Sequence, residues 1–219
     1  MILLVGVIVG LIGGFVRAWL AKRPYILPDI QRAEVAFLAL LPQAFVFFIP
    51  QTAQLASQQW AALILPLSLA ILLVFVWANR HLEGFWLLTL GLLLNFAVIT
   101  ANGGLMPISP ETLATVHGVA VESEFVQGAI NSRAFGSKDI VLLPEETRLV
   151  WLSDRFTLPA WLPIQIAYSL GDIFLAAGAF WTFWTGGAVA HQRPVARSGM
   201  HAYLLQSQHH KVRRLFRES

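Results

Sequence analysis

The chain has 219 residues, 57% of them hydrophobic and 12% charged, with a formal net charge of +3. A soluble globular domain carries about twice that charged fraction, so the composition points to an all-α integral membrane bundle. With no cysteine in the chain, disulfides, thiolate catalysis and cysteine-ligated metals are excluded together.

The first element is "MILLVGVIVGLIGGFVRAWLAKR". Its charges follow the apolar run and no A-x-A-like site comes after it, so it reads as a retained transmembrane helix and not as a signal peptide. Four more apolar stretches give five spans, at about residues 2–20, 35–50, 60–78, 84–101 and 162–186. Each is close to the roughly 20 residues that a bilayer core requires. The second is the shortest and contains Pro42, which predicts a tilt, a kink or partial re-entrance. In the first span Gly6, Gly10 and Gly14 repeat at a spacing of four. Two overlapping GxxxG patterns let another backbone approach closely, within the bundle or in a dimer.

Lys and Arg in the connections set the orientation. The first connection holds Arg17, Lys22, Arg23 and Arg32, residues 51–59 hold none, the third connection holds Arg80, and the tail holds Arg193, Arg197, Lys211, Arg213, Arg214 and Arg217. All basic-rich short segments fall on one side when the N-terminus is outside and the C-terminus is cytoplasmic. Tryptophan prefers the headgroup level and agrees: Trp60 and Trp161 sit at outer ends, and Trp19, Trp77, Trp86, Trp181 and Trp184 near inner ends. Residues 1–186 then form the bundle, with residues 102–161 as an outer capping loop. Residues 187–219 form a basic cytoplasmic tail.

Between the fourth and fifth spans, "TANGGLMPISPETL" has a plain stop signal. Asn102, Gly103 and Gly104 can take positive φ at a helix C-cap, and Pro107 prevents continuation. Ser109 then reads as an N-cap with Pro110 at the first helical position. These residues are a cap and turn alone, or a cap that also forms the rim of a site. Further on, "PEETRLVWLSDRF" begins with a proline and two acids, which predicts a short helix on the outer surface around Trp151.

Asp172 falls near the middle of the fifth span, where an ionised carboxylate costs about 2.5–3.5 kcal/mol on translocon scales. On a helix, Ser169, Tyr168 and Gln165 share its face, and Asn95 of the fourth span lies at similar depth. No lysine or arginine lies at comparable depth, so Asp172 is expected to have no cationic partner. Asn95, Ser169, Tyr168, Gln165 and Asp172 serve either as interhelical glue or as a site for a polar solute or a proton, with Asn102, Gly103 and Gly104 as its rim.

Winding the tail at 100° per residue puts Leu204, Leu205, Val212, Leu215 and Phe216 opposite Arg213, Arg214, Arg217 and His210. A basic amphipathic helix of that kind takes anionic membrane lipid as its partner; the alternative is a charged tail that only satisfies the orientation rule. No nucleic-acid partner is expected. No predicted span contains histidine, which excludes a bis-histidine haem, and there is no HExxH, P-loop or GxSxG. No cofactor, metal or catalytic residue is therefore assigned.

The run from a span ending in "GLLLN" through "ANGGLMPISPETL", "LLPEETRLVWLSDRFTLP" and "SLGDIFLAAG" resembles a family of small bacterial polytopic membrane proteins, catalogued only as a domain of unknown function. The likeness is clearest over residues 91–178 and carried by Asn102, Gly103, Gly104, Met106, Pro107, Gly171 and Asp172. It implies a bacterial plasma membrane location and supplies no activity. The expected role is a non-enzymatic accessory or scaffold component that meets other membrane-protein subunits. The alternatives are a small-solute or proton-linked carrier using Asp172, and a lipid-handling enzyme drawing on Glu146, Arg148 and Asp154.

Overall fold

The computed structural model describes residues 2–133 and 137–186; the tail residues Lys211, Arg213, Arg214 and Arg217 lie outside the described residues. The chain is mostly helical: α1 (Ile2–Leu20), α2 (Ala33–Gln43), α3 (Pro50–Leu55), α4 (Gln58–Ala78), α5 (Phe85–Ala101), α6 (Pro110–His117), α7 (Glu124–Ala129) and α8 (Leu170–Gly186). Two of them, α1 and α4, are long and apolar enough to cross a membrane. The stretch 33–48 and α5 are apolar but shorter.

The glycine stripe of α1 is spent inside the chain. Gly6, Gly10 and Gly14 are buried against α8, where an added Cβ would meet the Phe180 carbonyl at 2.6 Å and the Phe183 carbonyl at 2.5 Å, and would overlap that of Ala176. The outward face of the same helix exposes Leu4, Ile8, Ile12, Phe15 and Trp19. Packing continues from α8 to α5, from α5 to α4 and from α4 to α2, and no comparable packing joins α1 to α2 among the described residues. The five helices therefore form a horseshoe. Its lower end is tied by Asn79, which accepts from the Gln31 backbone N–H at 2.7 Å and donates to the Gln31 carbonyl at 2.8 Å.

The second apolar stretch runs as one apolar helical segment from Ala33 to Phe48 whose last turn, Ala44–Phe48, is π-helical, and α3 follows separately. Pro42 has no N–H to donate and crowds the preceding turn, and the ladder widens just after it. The α8 helix starts at Leu170, not at residue 162. Ser169 and Asp172 fix that start as a reciprocal capping box: the Asp172 N–H donates to Ser169 Oγ at 3.2 Å and the Ser169 N–H to Asp172 Oδ2 at 3.3 Å. Asp172 is thus in the first turn, where the helix dipole favours an anion, and not at mid-helix.

The outer segment is not wholly helical either. β1 (Met106–Ile108) pairs in parallel with β2 (Asp139–Val141), and β3 (Phe156–Thr157) pairs antiparallel with β4 (Ala167–Tyr168). These apolar runs are too short to make helices and satisfy each other's backbone groups instead. The helix expected around Trp151 is one 3-10 turn, Val150–Leu152, because Leu149 takes a left-handed φ of 55° and interrupts it. The N-cap at Ser109 is as expected: its Oγ accepts the Thr112 N–H at 3.2 Å.

Candidate functional site

The site lies where α5 runs out. Asn102 follows its last turn, and Gly103 and Gly104 take φ of 78° and 93°, a conformation open to glycine at no steric cost. Gly104 is also pressed onto α4, so that a Cβ there would overlap the Ala62 carbonyl. The turn delivers the chain into β1, and β1 acts as a spine for the outer layer. The Met106 N–H donates to the Lys138 carbonyl and the Asp154 N–H to the Pro107 carbonyl, both at 3.0 Å. Lys138 and Asp154, sixteen residues apart in sequence, are brought to one place by those two bonds.

Below this layer, Asn95, Ser169 and Asp172 close a ring. Asn95 Nδ2 donates to Asp172 Oδ1 at 3.0 Å, and Ser169 Oγ donates to Asn95 Oδ1 at 3.0 Å. With the capping box, both Asp172 oxygens have a donor. Gly171 makes the ring possible, since a Cβ at that position would overlap Asn95 Oδ1. The amide of α5 is thereby locked to the start of α8.

Above the ring is a charge cluster that the spans did not reveal. Lys138 Nζ lies 2.9 Å from Asp139 Oδ1 and 2.5 Å from Asp154 Oδ2. Asp172 acts on both Lys138 and Asp154 at longer range. This corrects the expectation that Asp172 has no cation near it: a loop supplies one. Burial works against the Lys138 ammonium, but the carboxylates of Asp139, Asp154 and Asp172 outweigh it and hold its pKa above the ordinary value. Asp154 is 1% exposed, and its Oδ1 has no hydrogen-bond partner. Burial first, with Asp139 and Asp172 adding to it, overcomes the pull of Lys138 and pushes the Asp154 carboxyl up to about 7 from 3.8.

The sign of the resulting pH dependence follows from linkage. A carboxyl with a raised folded pKa holds its proton more tightly when folded, so its effect on stability is unfavourable above its unfolded pKa. Stability should fall as pH rises from about 4 to about 7. Thermal unfolding of the purified chain is expected to show that decline, and Asp154→Asn is expected to flatten it. Parallel profiles for the two proteins would remove Asp154 as its source.

Other sequence-singled residues do not join the cluster. Tyr168 is in β4, stacked on Phe156 at 5.7 Å, and borders an apolar cavity of about 700 Å³ beside α1 and α8 that no charged residue lines. Gln165 staples its own loop, donating to the carbonyls of Pro159 and Leu162. Neither lies on a helical face with Asp172, because α8 has not yet begun. Asn102 clamps the outer loop: Nδ2 donates to the Arg148 carbonyl at 2.8 Å and Oδ1 accepts the Arg148 N–H at 2.9 Å. Gly103 has open space around it. Glu146 and Arg148 are exposed while Asp154 is buried, so the three do not share a surface.

Comparison with known proteins gives two findings. Residues 28–184 match the model of a family described as a family of unknown function, DUF5317. An uncharacterized protein of Thermotoga maritima is 30% identical over 138 residues, which is 62% of this chain and 70% of that protein. No solved structure matches.

Proposed function

The chain belongs to the DUF5317 family, a family of unknown function, and we propose that it is a multi-pass protein of a bacterial plasma membrane, acting as a non-enzymatic accessory component of a membrane assembly. In this reading α1, α2 with its π turn, α4, α5 and α8 are five spans and the N-terminus is outside. Residues 102–161 cap the outer face, and residues 187–219 are a cytoplasmic tail whose basic side chains meet anionic lipid. The distribution of side chains supports it: α1 buries its glycines and exposes its leucines, isoleucines and phenylalanine, the reverse of a water-facing helix.

The observation that carries the non-enzymatic role is the closed ring of Asn95, Ser169 and Asp172. A polar group whose partners are all fixed inside one bundle is suited to holding helices together more than to turning over a substrate. A carrier using Asp172 is the second reading, favoured by that residue's place on the wall of a cavity. A lipid-handling enzyme loses support, since its three candidate residues are split between the interior and the surface.

The cysteine-free sequence makes the topology directly testable. A thiol introduced as Ser57→Cys is expected to react with an impermeant maleimide in intact cells, and one introduced as Arg80→Cys only after permeabilisation. The opposite pattern overturns the orientation. Purification in mild detergent is expected to retain stoichiometric partner subunits, and a chain that emerges alone overturns the accessory role.

A further inference from the structure

The hollow of the horseshoe holds a cavity of about 360 Å³ with wall residues from α1, α2, α4, α5 and α8. Its α5 wall runs from Phe85 to Ile99, about 21 Å at the helical rise. One leaflet of a bilayer core is about 15 Å deep, so the cavity can accept an acyl chain end-on. Nearly all of its lining is aliphatic or aromatic. The polar side chains bordering it include Asn95, Lys138, Asp172 and Gln43. The wall residues Leu3 of α1 and Ala36 and Leu40 of α2 belong to the two helices between which no comparable packing occurs among the described residues, and Leu3 and Leu40 are exposed.

The polar end has unmet capacity. Gln43 Nε2 is buried without a hydrogen-bond partner. Lys138 makes two ion pairs from a group with three donors, and 40% of its side chain is exposed, here beside the cavity. The Asp172 oxygens each retain a lone pair. An anionic head would be placed against the carboxylates of Asp139, Asp154 and Asp172. An ammonium head has no lone pair and accepts from neither Gln43 Nε2 nor Lys138 Nζ. A hydroxyl accepts from Gln43 and Lys138 and donates to Asp172, so of these three heads it alone serves every partner.

We infer that this hollow is a binding site for a single-chain amphiphile with an uncharged, hydroxyl-bearing head, which enters laterally between α1 and α2, lays its chain along α5 and sets its head among Gln43, Lys138 and Asp172. The inference rests on the membrane reading above and not on the accessory role.

The test uses the full chain in phosphatidylcholine nanodiscs, free of single-chain detergent, with monoolein, oleate and oleylamine as probes, each followed through the rise in unfolding midpoint with concentration. Monoolein is expected to half-saturate at a concentration at least tenfold below either of the others. Ala36→Trp, which plugs the lateral opening, is expected to weaken monoolein at least tenfold, with Leu40→Trp as a second plug should the first not fold. Gln43→Leu is expected to leave the ligand-free midpoint unchanged or higher, since an orphaned donor has been removed, while weakening monoolein about fivefold. A residue with only a structural role would not separate those two effects.

Preference for oleate or oleylamine overturns the assigned head. Undiminished monoolein binding in both plugged variants overturns the site, and unchanged affinity in Gln43→Leu overturns the seating of the head. Recovery of the chain from the soluble fraction without detergent would instead defeat the membrane reading, by an independent observation.

Discussion

A Gly104→Ala variant is expected to yield almost no folded protein, with a destabilisation above about 4 kcal/mol, a size reserved for a few mechanisms. Two of them act together here. The backbone sits at φ 93°, where a side chain costs about 1–3 kcal/mol in strain. The added methyl would also overlap the carbonyl of Ala62, which belongs to the backbone of α4 and cannot rotate away. Relief would require the turn to lift off α4, taking with it β1 and the residues β1 carries, Lys138 and Asp154. Gly103→Ala is the internal control. It has a similar positive φ of 78° but nothing within 4 Å of the added atom, so only the backbone strain applies. Expression and unfolding midpoints should rank wild type, then Gly103→Ala, then Gly104→Ala well below. Equal losses for the two variants would show that the close approach to α4 is immaterial.

That contrast marks what was legible in the sequence. Asn102, Gly103, Gly104 and Pro107 read as a stop from local chemistry alone, and the three-part difference between clamp, spacer and contact did not, because it depends on Arg148 and Ala62 far away in the chain. Asn95, Ser169 and Asp172 could be paired from the sequence because each lies in or beside an apolar run. Placing Asp172 mid-helix failed because Leu162, Ile164 and Ile166 look like helix to any measure of hydropathy. They are apolar yet precede a strand residue pair and a capping box, and "S-L-G-D" was the signal that marked the true start. Lys138 carried no signal. No periodicity links "SKDIV" to the start of α8, and the link exists only because β2 pairs with β1 and β1 continues from α5.

Lys138→Met is expected to destabilise the chain by about 3 kcal/mol at neutral pH. Removing one partner of a buried pair typically costs about 3–5 kcal/mol, and the low end applies because 40% of the Lys138 side chain is exposed. The methionine fills a similar volume, so the loss is electrostatic: Asp139, Asp154 and Asp172 remain with no cation among them. The loss should shrink with acid. Without Lys138 the folded pKa of Asp154 moves further above its unfolded value. The Asp154 penalty is the same in the two proteins while both folded forms hold its proton, below about pH 6, and it differs above that, where wild type releases the proton and the variant keeps it. Unfolding midpoints of the two proteins are expected to run parallel from about pH 4 to about pH 6 and to separate steadily towards about pH 9. Adding Asp154→Asn to Lys138→Met should recover much of the neutral-pH loss, because it removes the carboxyl that is most deeply buried. Uniform destabilisation across pH, or a double variant weaker than the single, would mean that Lys138 contributes packing and not charge. The same ammonium would then be no anchor for a ligand head, and the roof over the horseshoe would be held by β1 and β2 alone.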